Sequence, residues 1–200
     1  MELLDRLFEK MIDYYRGDPR RIQHFVKVHA FAERIGRREK LGERELFRLE
    51  AAAYVHDIGI KPAEEKYGDC SGKLQEQEGP EAAGKMLGEL GFDREDAERI
   101  CYLVGHHHTY RQIDGMDYQI LVEADFLVNL YEEQVGLQAV RAAEEKIFKT
   151  SAGKRILEQM FGLYKSGKGR CIWEGKNFWR VWCRWTAPAC GLTIKKQRRN

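Results

Sequence analysis

Apolar residues recur at helical spacing along most of the first 160 or so residues, and this periodicity constrains the fold more than any other feature. Between residues 2 and 15, for example, leucine, phenylalanine, methionine and isoleucine return every three or four positions. No stretch alternates apolar and polar residues as a half-buried strand would. The pattern therefore predicts an all-α fold, with helices over 2–15, 19–36, 43–57, 80–90, 94–105, 117–132, 137–148 and 152–161.

Local signals support several of these boundaries. Asp18 is a typical N-cap, and Pro19 after it suits a first helical turn, where its missing N–H is not needed. In GFDRED, Asp93 is a second N-cap, and Asp96 three residues later gives an approximate capping box. The polar, glycine-bearing segment KYGDCSGKLQEQEG, residues 66–79, is predicted to be a loop.

The composition indicates a soluble globular protein. Hydrophobic residues make up 43% of the chain and charged residues 33%. The N-terminal stretch carries a charge every few residues, and no apolar run approaches the length of a membrane-spanning helix. Five cysteines, an odd number, argue against a disulfide framework. The cytoplasm is the expected location, and no membrane partner is expected.

The composition changes near residue 163. Residues 164–200 contain ten Lys and Arg, a single acid (Glu174) and all four tryptophans, whereas residues 1–163 have an excess of acids. We therefore predict a folded domain over 1–163 and an atypical basic C-terminal extension over 164–200. A basic, aromatic-rich tail can bind nucleic acid. The abrupt change is more typical of an out-of-frame or fused extension, so nucleic-acid binding is not expected.

Zinc binding is a further interpretation of the tail. Three cysteines lie in it, but they include no CxxC pair, so the signal is weak. These cysteines are Cys171, Cys183 and Cys190.

The segment AAAYVHDIGIKP, residues 51–62, combines a buried-looking helix with two adjacent ionisable residues. Its apolar run ends at His56 and Asp57, and Gly59 follows. Imidazole and carboxylate together suit divalent transition metals such as Mn, Fe, Co, Ni or Zn. Both side chains can turn toward one ion at the inner end of the helix, and Gly59 would let the chain leave sharply and leave room at the site.

Two other residues are similarly out of place. His24 falls on the apolar side of the second helix, and Asp125 falls in the almost wholly apolar run YQILVEADFLVNLY. A lone buried carboxylate is costly unless something positive meets it. Each residue alone has a commoner explanation, as a core histidine, a cap or a salt-bridge partner. One metal ion held by His24, His56, Asp57 and Asp125 explains all four together.

The order of these motifs resembles the HD-domain superfamily of metal-dependent phosphohydrolases, in its HDIG form. The resemblance covers residues 18–160 and rests on RIQHFVKVHAFAERIG, AAAYVHDIGIK, YLVGHHHTY and QILVEADFLVNLY. It implies a helical bundle whose four ligands, His24, His56, Asp57 and Asp125, hold one divalent metal. Some members add a second metal ion.

Two departures from the family pattern leave the second ion open. Two-metal relatives carry another histidine where this chain offers Glu78, and they carry GYP where it has DGMDY. A second site from Glu78, His106 and His107 is still compatible with the sequence. In some relatives a lysine directly follows the glycine of HDIG, whereas here Ile60 intervenes before Lys61.

The resemblance implies hydrolysis of a phosphate mono- or diester by a metal-activated water, with a nucleotide as the expected small substrate. Asp57 would orient or deprotonate that water. Lys61, His106 or His107 would neutralise charge on the phosphoryl oxygens. Two alternatives stay open: an HD-type oxygenase that holds two irons, and a sensor module that binds metal with little turnover.

Overall fold

The computed structural model describes residues 2–163, and within this range the chain forms nine α-helices and no strand. The predicted all-α fold is confirmed. The tail from residue 164 onward lies outside the described residues, so its separateness stays a prediction. In chain order the helices are α1 (Leu3–Tyr14), α2 (Pro19–Arg38), α3 (Glu43–Val55), α4 (Ile60–Tyr67), α5 (Gly72–Leu90), α6 (Arg94–Val104), α7 (Met116–Glu132), α8 (Leu137–Lys146) and α9 (Ser151–Phe161).

Side-chain caps begin α2 and α6 as the sequence predicts. The Asp18 carboxylate accepts a hydrogen bond from the backbone N–H three residues later, at 3.1 Å. Asp93 accepts from two N–H groups in the first turn of α6. Asp96 does not complete a capping box, because its carboxylate pairs instead with Arg44 and Arg48 of α3.

The segment 66–79, predicted as a loop, is largely helix. α4 begins directly after the turn that carries His56 and Asp57, and α5 begins at Gly72 and continues through Pro80. The polar composition was misleading because the first half of α5 buries Gln75, Glu78 and Gly79 rather than a stripe of large apolar side chains.

The core lies where α2, α3 and α7 pack against one another, with α1, α5 and α6 around them. α7 is enclosed on nearly all sides, since 12 of its 17 residues are buried. Polar side chains on this helix are therefore withdrawn from water whichever way they point. None of the helices described for this chain is long and apolar enough to cross a membrane.

Gly59 is needed because α4 and α5 approach each other closely. A Cβ at this position would lie 2.4 Å from the Gln75 carbonyl oxygen and 2.8 Å from the Gly79 nitrogen. Its φ of −68° is an ordinary value that any residue adopts. Gly59 thus makes room for α5, which corrects the expectation that it serves a sharp turn and space at the site.

Candidate metal centre

Three predicted ligands, His24, His56 and Asp57, bring their ligand atoms within 4.8 Å of one another, and Asp125 lies beside both histidines. His24 lies on α2, His56 and Asp57 follow α3 directly, and Asp125 lies on α7. The Nε2 atom of His24 is 3.2 Å from both His56 Nε2 and Asp125 Oδ1. Asp57 Oδ2 is 3.5 Å from the Nε2 atom of each histidine. His56 Nε2 is 3.6 Å from Asp125 Oδ1.

These separations fit the donor atoms of a single metal ion. Nitrogen and oxygen donors about 2.1 Å from a transition metal lie about 3.0 Å apart at octahedral angles and about 3.4 Å apart at tetrahedral angles. The five separations given above run from 3.2 to 3.6 Å, and the separation between the Asp57 and Asp125 carboxylates is not among them. Two imidazoles with two carboxylates also match the ligand preference of divalent transition metals. The residues present therefore fit the metal that the sequence implies.

Both histidines of this group are oriented through their other ring nitrogen. His56 Nδ1 donates to the Ala53 carbonyl at 3.0 Å, and His24 Nδ1 donates to Glu132 Oε2 at 3.2 Å. Lys27 in turn donates to Glu132. A proton held on Nδ1 leaves the Nε2 lone pair free to face the cluster, which is how metal-binding histidines are usually fixed.

Glu132 was missed in the sequence. It stands seven residues, about two helical turns, after Asp125 on α7, so both carboxylates lie on the same side of the helix. That spacing was visible in the sequence and could have pointed to it.

His107 lies near Asp57, on the side of its other carboxylate oxygen. Its Nε2 atom is 3.4 Å from Asp57 Oδ1 without forming a hydrogen bond, and its Nδ1 donates to the Val104 carbonyl at 2.8 Å. His107 is fully buried, and its Nε2 has no hydrogen-bond partner among residues 2–163. A buried polar atom without a partner is uncommon in proteins, and a water molecule or an ion would satisfy it.

His108 completes a second group with Asp57 and His107, whose ligand atoms lie within 4.8 Å of one another. Its Nε2 lies 3.1 Å from Gln75 Oε1, and its Nδ1 lies 3.4 Å from the Tyr110 hydroxyl. Burial lowers the pKa of His108 to about 4, so its ring is neutral near pH 7. The sequence did not show which of the three consecutive histidines would face the site.

Glu78 and Lys61 belong to neither group of ligand atoms. The Glu78 carboxylate accepts hydrogen bonds from Lys66 and from the Tyr67 hydroxyl, and the bond from Lys66 holds the pKa of Glu78 below its usual value. Lys61 lies on the exposed side of α4, with its Nζ 5.0 Å from the centre of the Tyr14 ring. The structure thus does not bring these two predicted residues to the cluster.

His106 is also directed elsewhere. Its ring stacks on Tyr102 with 4.2 Å between the ring centres, and its Nδ1 donates to the Tyr102 carbonyl at 2.7 Å. The proposed second set of Glu78, His106 and His107 is therefore not assembled. Asp57, His107 and His108 are brought together instead.

The charges of the cluster shift its pKa values. Burial opposes ionisation of every member, but the carboxylates outweigh it at the histidines, since Asp125 and Asp57 raise the pKa of His24 to about 9 and also raise that of His56. The histidines in turn hold the pKa values of Asp57 and Asp125 below their usual range, despite burial. Protons and a metal ion would therefore compete for the same nitrogens.

Known proteins share this architecture. The family model described as HD domain matches residues 21–162. Among solved structures, the crystal structure of a predicted HD superfamily hydrolase from an uncultured Thermotogales bacterium aligns with a TM-score of 0.58. The two sequences are 23% identical over 80% of this chain and 85% of that chain, a likeness that shows the fold. No curated protein matches the chain.

Proposed function

The chain belongs to the HD-domain family, and we propose that it is a metal-dependent hydrolase that cleaves a phosphate mono- or diester, with a nucleotide as the expected substrate. The clustering of His24, His56 and Asp57, with Asp125 beside both histidines, carries this proposal. The ligand set suits Mn, Fe, Co, Ni or Zn, without selecting among them.

Asp57 is the best-placed group to handle the attacking water. A divalent ion, when bound, supplies Lewis acidity toward a water molecule and a phosphoryl oxygen. The Asp57 side chain is 22% exposed, whereas those of His24, His56 and Asp125 are at most 10% exposed. Although burial opposes it, the neighbouring His56 and His107 keep the pKa of Asp57 low, so its carboxylate is ionised at neutral pH and can orient the water and accept its proton.

His107 is the group best placed to meet a phosphoryl oxygen, because its buried Nε2 has no hydrogen-bond partner among residues 2–163. This atom lies near Asp57 Oδ1, whereas Asp57 Oδ2 is the oxygen near His24. His107 would bind the phosphoryl oxygen directly or, together with Asp57 and His108, hold a second ion. This assignment replaces Lys61 and His106, whose side chains contact Tyr14 and Tyr102 instead.

The di-iron alternative loses one of its expected ligands. The carboxylate that the sequence offered for a second iron, Glu78, is paired with Lys66 and Tyr67 on the neighbouring helix. The sensor alternative shares the metal site and differs only in turnover. Iron content together with O₂ uptake separates the oxygenase from the hydrolase, and turnover separates the sensor from both.

The test compares the wild type with Asp57→Ala and with a control, Asp69→Ala, which changes an exposed aspartate outside both ligand groups. After loading with Mn or Fe, elemental analysis should find stoichiometric metal in the wild type and the control. Asp57→Ala should lose most of it, because removing an anionic ligand weakens the whole set. The wild type and the control should hydrolyse at least one member of a nucleotide panel, lose this activity with chelator and regain it with metal.

Two results would contradict the proposal. A wild-type protein that takes up no stoichiometric metal after loading has no metal centre of this kind. A metal-loaded protein that is inert on every phosphate ester but consumes O₂ with some substrate is an oxygenase.

A further inference from the structure

We propose that α1 is part of the metal centre, because Tyr15 and Tyr14 at its C-terminal end position the turn that carries Asp57. The Tyr15 hydroxyl donates to the Asp57 carbonyl at 2.7 Å, and the Tyr14 hydroxyl donates to the Ile58 carbonyl at 3.2 Å. Both tyrosines precede residue 21, where the match to the family begins. The inference rests on the proposed function, in which Asp57 is a metal ligand.

Asp57 depends more on its backbone than His24 and Asp125 do, because those two lie inside helices. His24 projects from the first third of α2 and Asp125 from the middle of α7, whereas Asp57 lies in the short turn between α3 and α4. Outside the helices' own bonds, the turn makes three backbone bonds: Ile58 N–H to the Val55 carbonyl at 2.9 Å, Ile60 N–H to the Asp57 carbonyl at 3.0 Å, and Ala63 N–H to the Gly59 carbonyl at 3.0 Å. Additional anchors from outside the turn therefore matter for its orientation.

The orientation of this turn sets both carboxylate oxygens of Asp57 at once. Oδ2 faces His24 and His56 at 3.5 Å, and Oδ1 faces His107 at 3.4 Å. An aspartate side chain is short, so a rotation of its peptide displaces both oxygens together. Metal sites require their ligands to be held within about 0.5 Å of the productive position.

Tyr15 is a rigid anchor for this purpose. It is 4% exposed, and its ring meets that of Tyr14 edge-on with 5.0 Å between the centres. Leu7 and Met11 on the same helix are fully buried in the core, which holds α1 in place along the domain. A buried hydroxyl needs a partner, and among residues 2–163 the Asp57 carbonyl is the one that the Tyr15 hydroxyl has. Tyr15 is thus a positioning residue that acts through Asp57.

The test is Tyr15→Phe in the full chain, which removes the hydroxyl and keeps the ring. We expect the dissociation constant for Mn²⁺, measured by calorimetric titration, to increase about tenfold, at the lower end of what outer partners of metal ligands usually cause. In metal-free protein, amide hydrogen exchange should become faster at Ile60, whose N–H shares the Asp57 carbonyl. Tyr14→Phe should have a smaller effect, because its bond is longer and is made to the carbonyl of the next residue.

Tyr54→Phe is the matched control. The Tyr54 ring packs against Phe8 of α1 at 5.6 Å, and its hydroxyl bonds neither of the two carbonyls in the turn. Unchanged Mn²⁺ affinity and unchanged exchange at Ile60 in Tyr15→Phe would overturn the inference and leave the proposed function standing. An equal loss of affinity in Tyr54→Phe would overturn it too, since packing alone would explain the effect. Absence of Mn²⁺ binding by the wild type would overturn both proposals together.

Discussion

Glu123 and Asp125 are two buried carboxylates on α7, 0% and 3% exposed, and their surroundings differ in kind. Two positions along a helix separate their directions by about 200°, so they serve opposite sides of the domain. Glu123 Oε1 accepts hydrogen bonds from the Gln119 side chain at 2.8 Å and from the backbone N–H groups of Lys149 and Thr150 at 2.6 and 2.9 Å. Its Oε2 accepts the Thr150 hydroxyl. The chain itself thus supplies the hydrogen-bond donors that the Glu123 carboxylate needs.

Asp125 has a very different set of neighbours. In the described part of the chain, only the Asn129 amide, at 2.9 Å, is a donor that keeps its hydrogen at every pH. The other neighbours are the Nε2 atoms of His24 and His56, and these can donate only when protonated. The difference teaches that burial alone does not identify a functional carboxylate. A ligand is indicated where the chain leaves the carboxylate dependent on protons or a cation.

The largest effects should come from changing each carboxylate to alanine. Glu123→Ala leaves the donors of Lys149 and Thr150 without an acceptor inside the domain, so we expect the free energy of unfolding to fall by about 3 kcal/mol. Asp125→Ala should abolish most metal binding and cost metal-free protein less. Urea unfolding with chelator, and again with Mn²⁺, measures both. A Glu123→Ala protein of normal stability that binds no metal would contradict this contrast, because it would make Glu123 the carboxylate that serves the metal.

The sequence could not separate these two residues by local signals. Both stand in the apolar run YQILVEADFLVNLY. Apart from Gln119, the partners of Glu123 lie 26 and 27 positions later, at the junction of α8 and α9, and no sequence signal near Glu123 indicates them. Asp125 was identified only because His24, His56 and Asp57 precede it in the order typical of one family.

Elsewhere the sequence succeeded where its signals were local. Helical periodicity and the N-caps Asp18 and Asp93 predicted the architecture, because each depends on neighbouring residues. The prediction for Glu78 depended on tertiary structure: its partner Lys66 lies on α4, a helix that the polar composition concealed. Which of His106, His107 and His108 faces the site likewise depends on where α6 ends, because a shift of one residue at the helix end changes which side chain points inward.

A change of pH should alter metal affinity at the cluster beside Asp125, which gives a second way to compare the two carboxylates of α7. Because the folded-state pKa of His24, about 9, exceeds its ordinary value of 6.5, protonated His24 stabilises the fold below pH 6.5, and this contribution is lost as the pH rises through about 9. Metal needs the neutral imidazole, so its affinity should rise over the same window. We expect the increase in Tm caused by Mn²⁺ to be larger near pH 9 than near pH 6.5.

Thermal unfolding with and without Mn²⁺ across this range measures the effect. Asp125→Ala is the control for the pH dependence, because it should show almost no response to Mn²⁺ at any pH. A metal-induced increase in Tm that is the same at both ends of the window would mean that His24 does not exchange a proton for metal.

The smallest effect should follow removal of the tail. A chain shortened to residues 1–164 keeps every proposed metal ligand, since these all precede residue 126, and it also keeps Glu123 with its partners at 149 and 150. Both sides of α7 should therefore be intact. We expect unchanged metal stoichiometry and activity and a change in unfolding free energy within about 0.5 kcal/mol.

Solubility should increase, because the removed segment carries all four tryptophans and exposed aromatics favour aggregation. Loss of metal or unfolding of the shortened chain, measured beside the full chain, would show that the tail belongs to the domain.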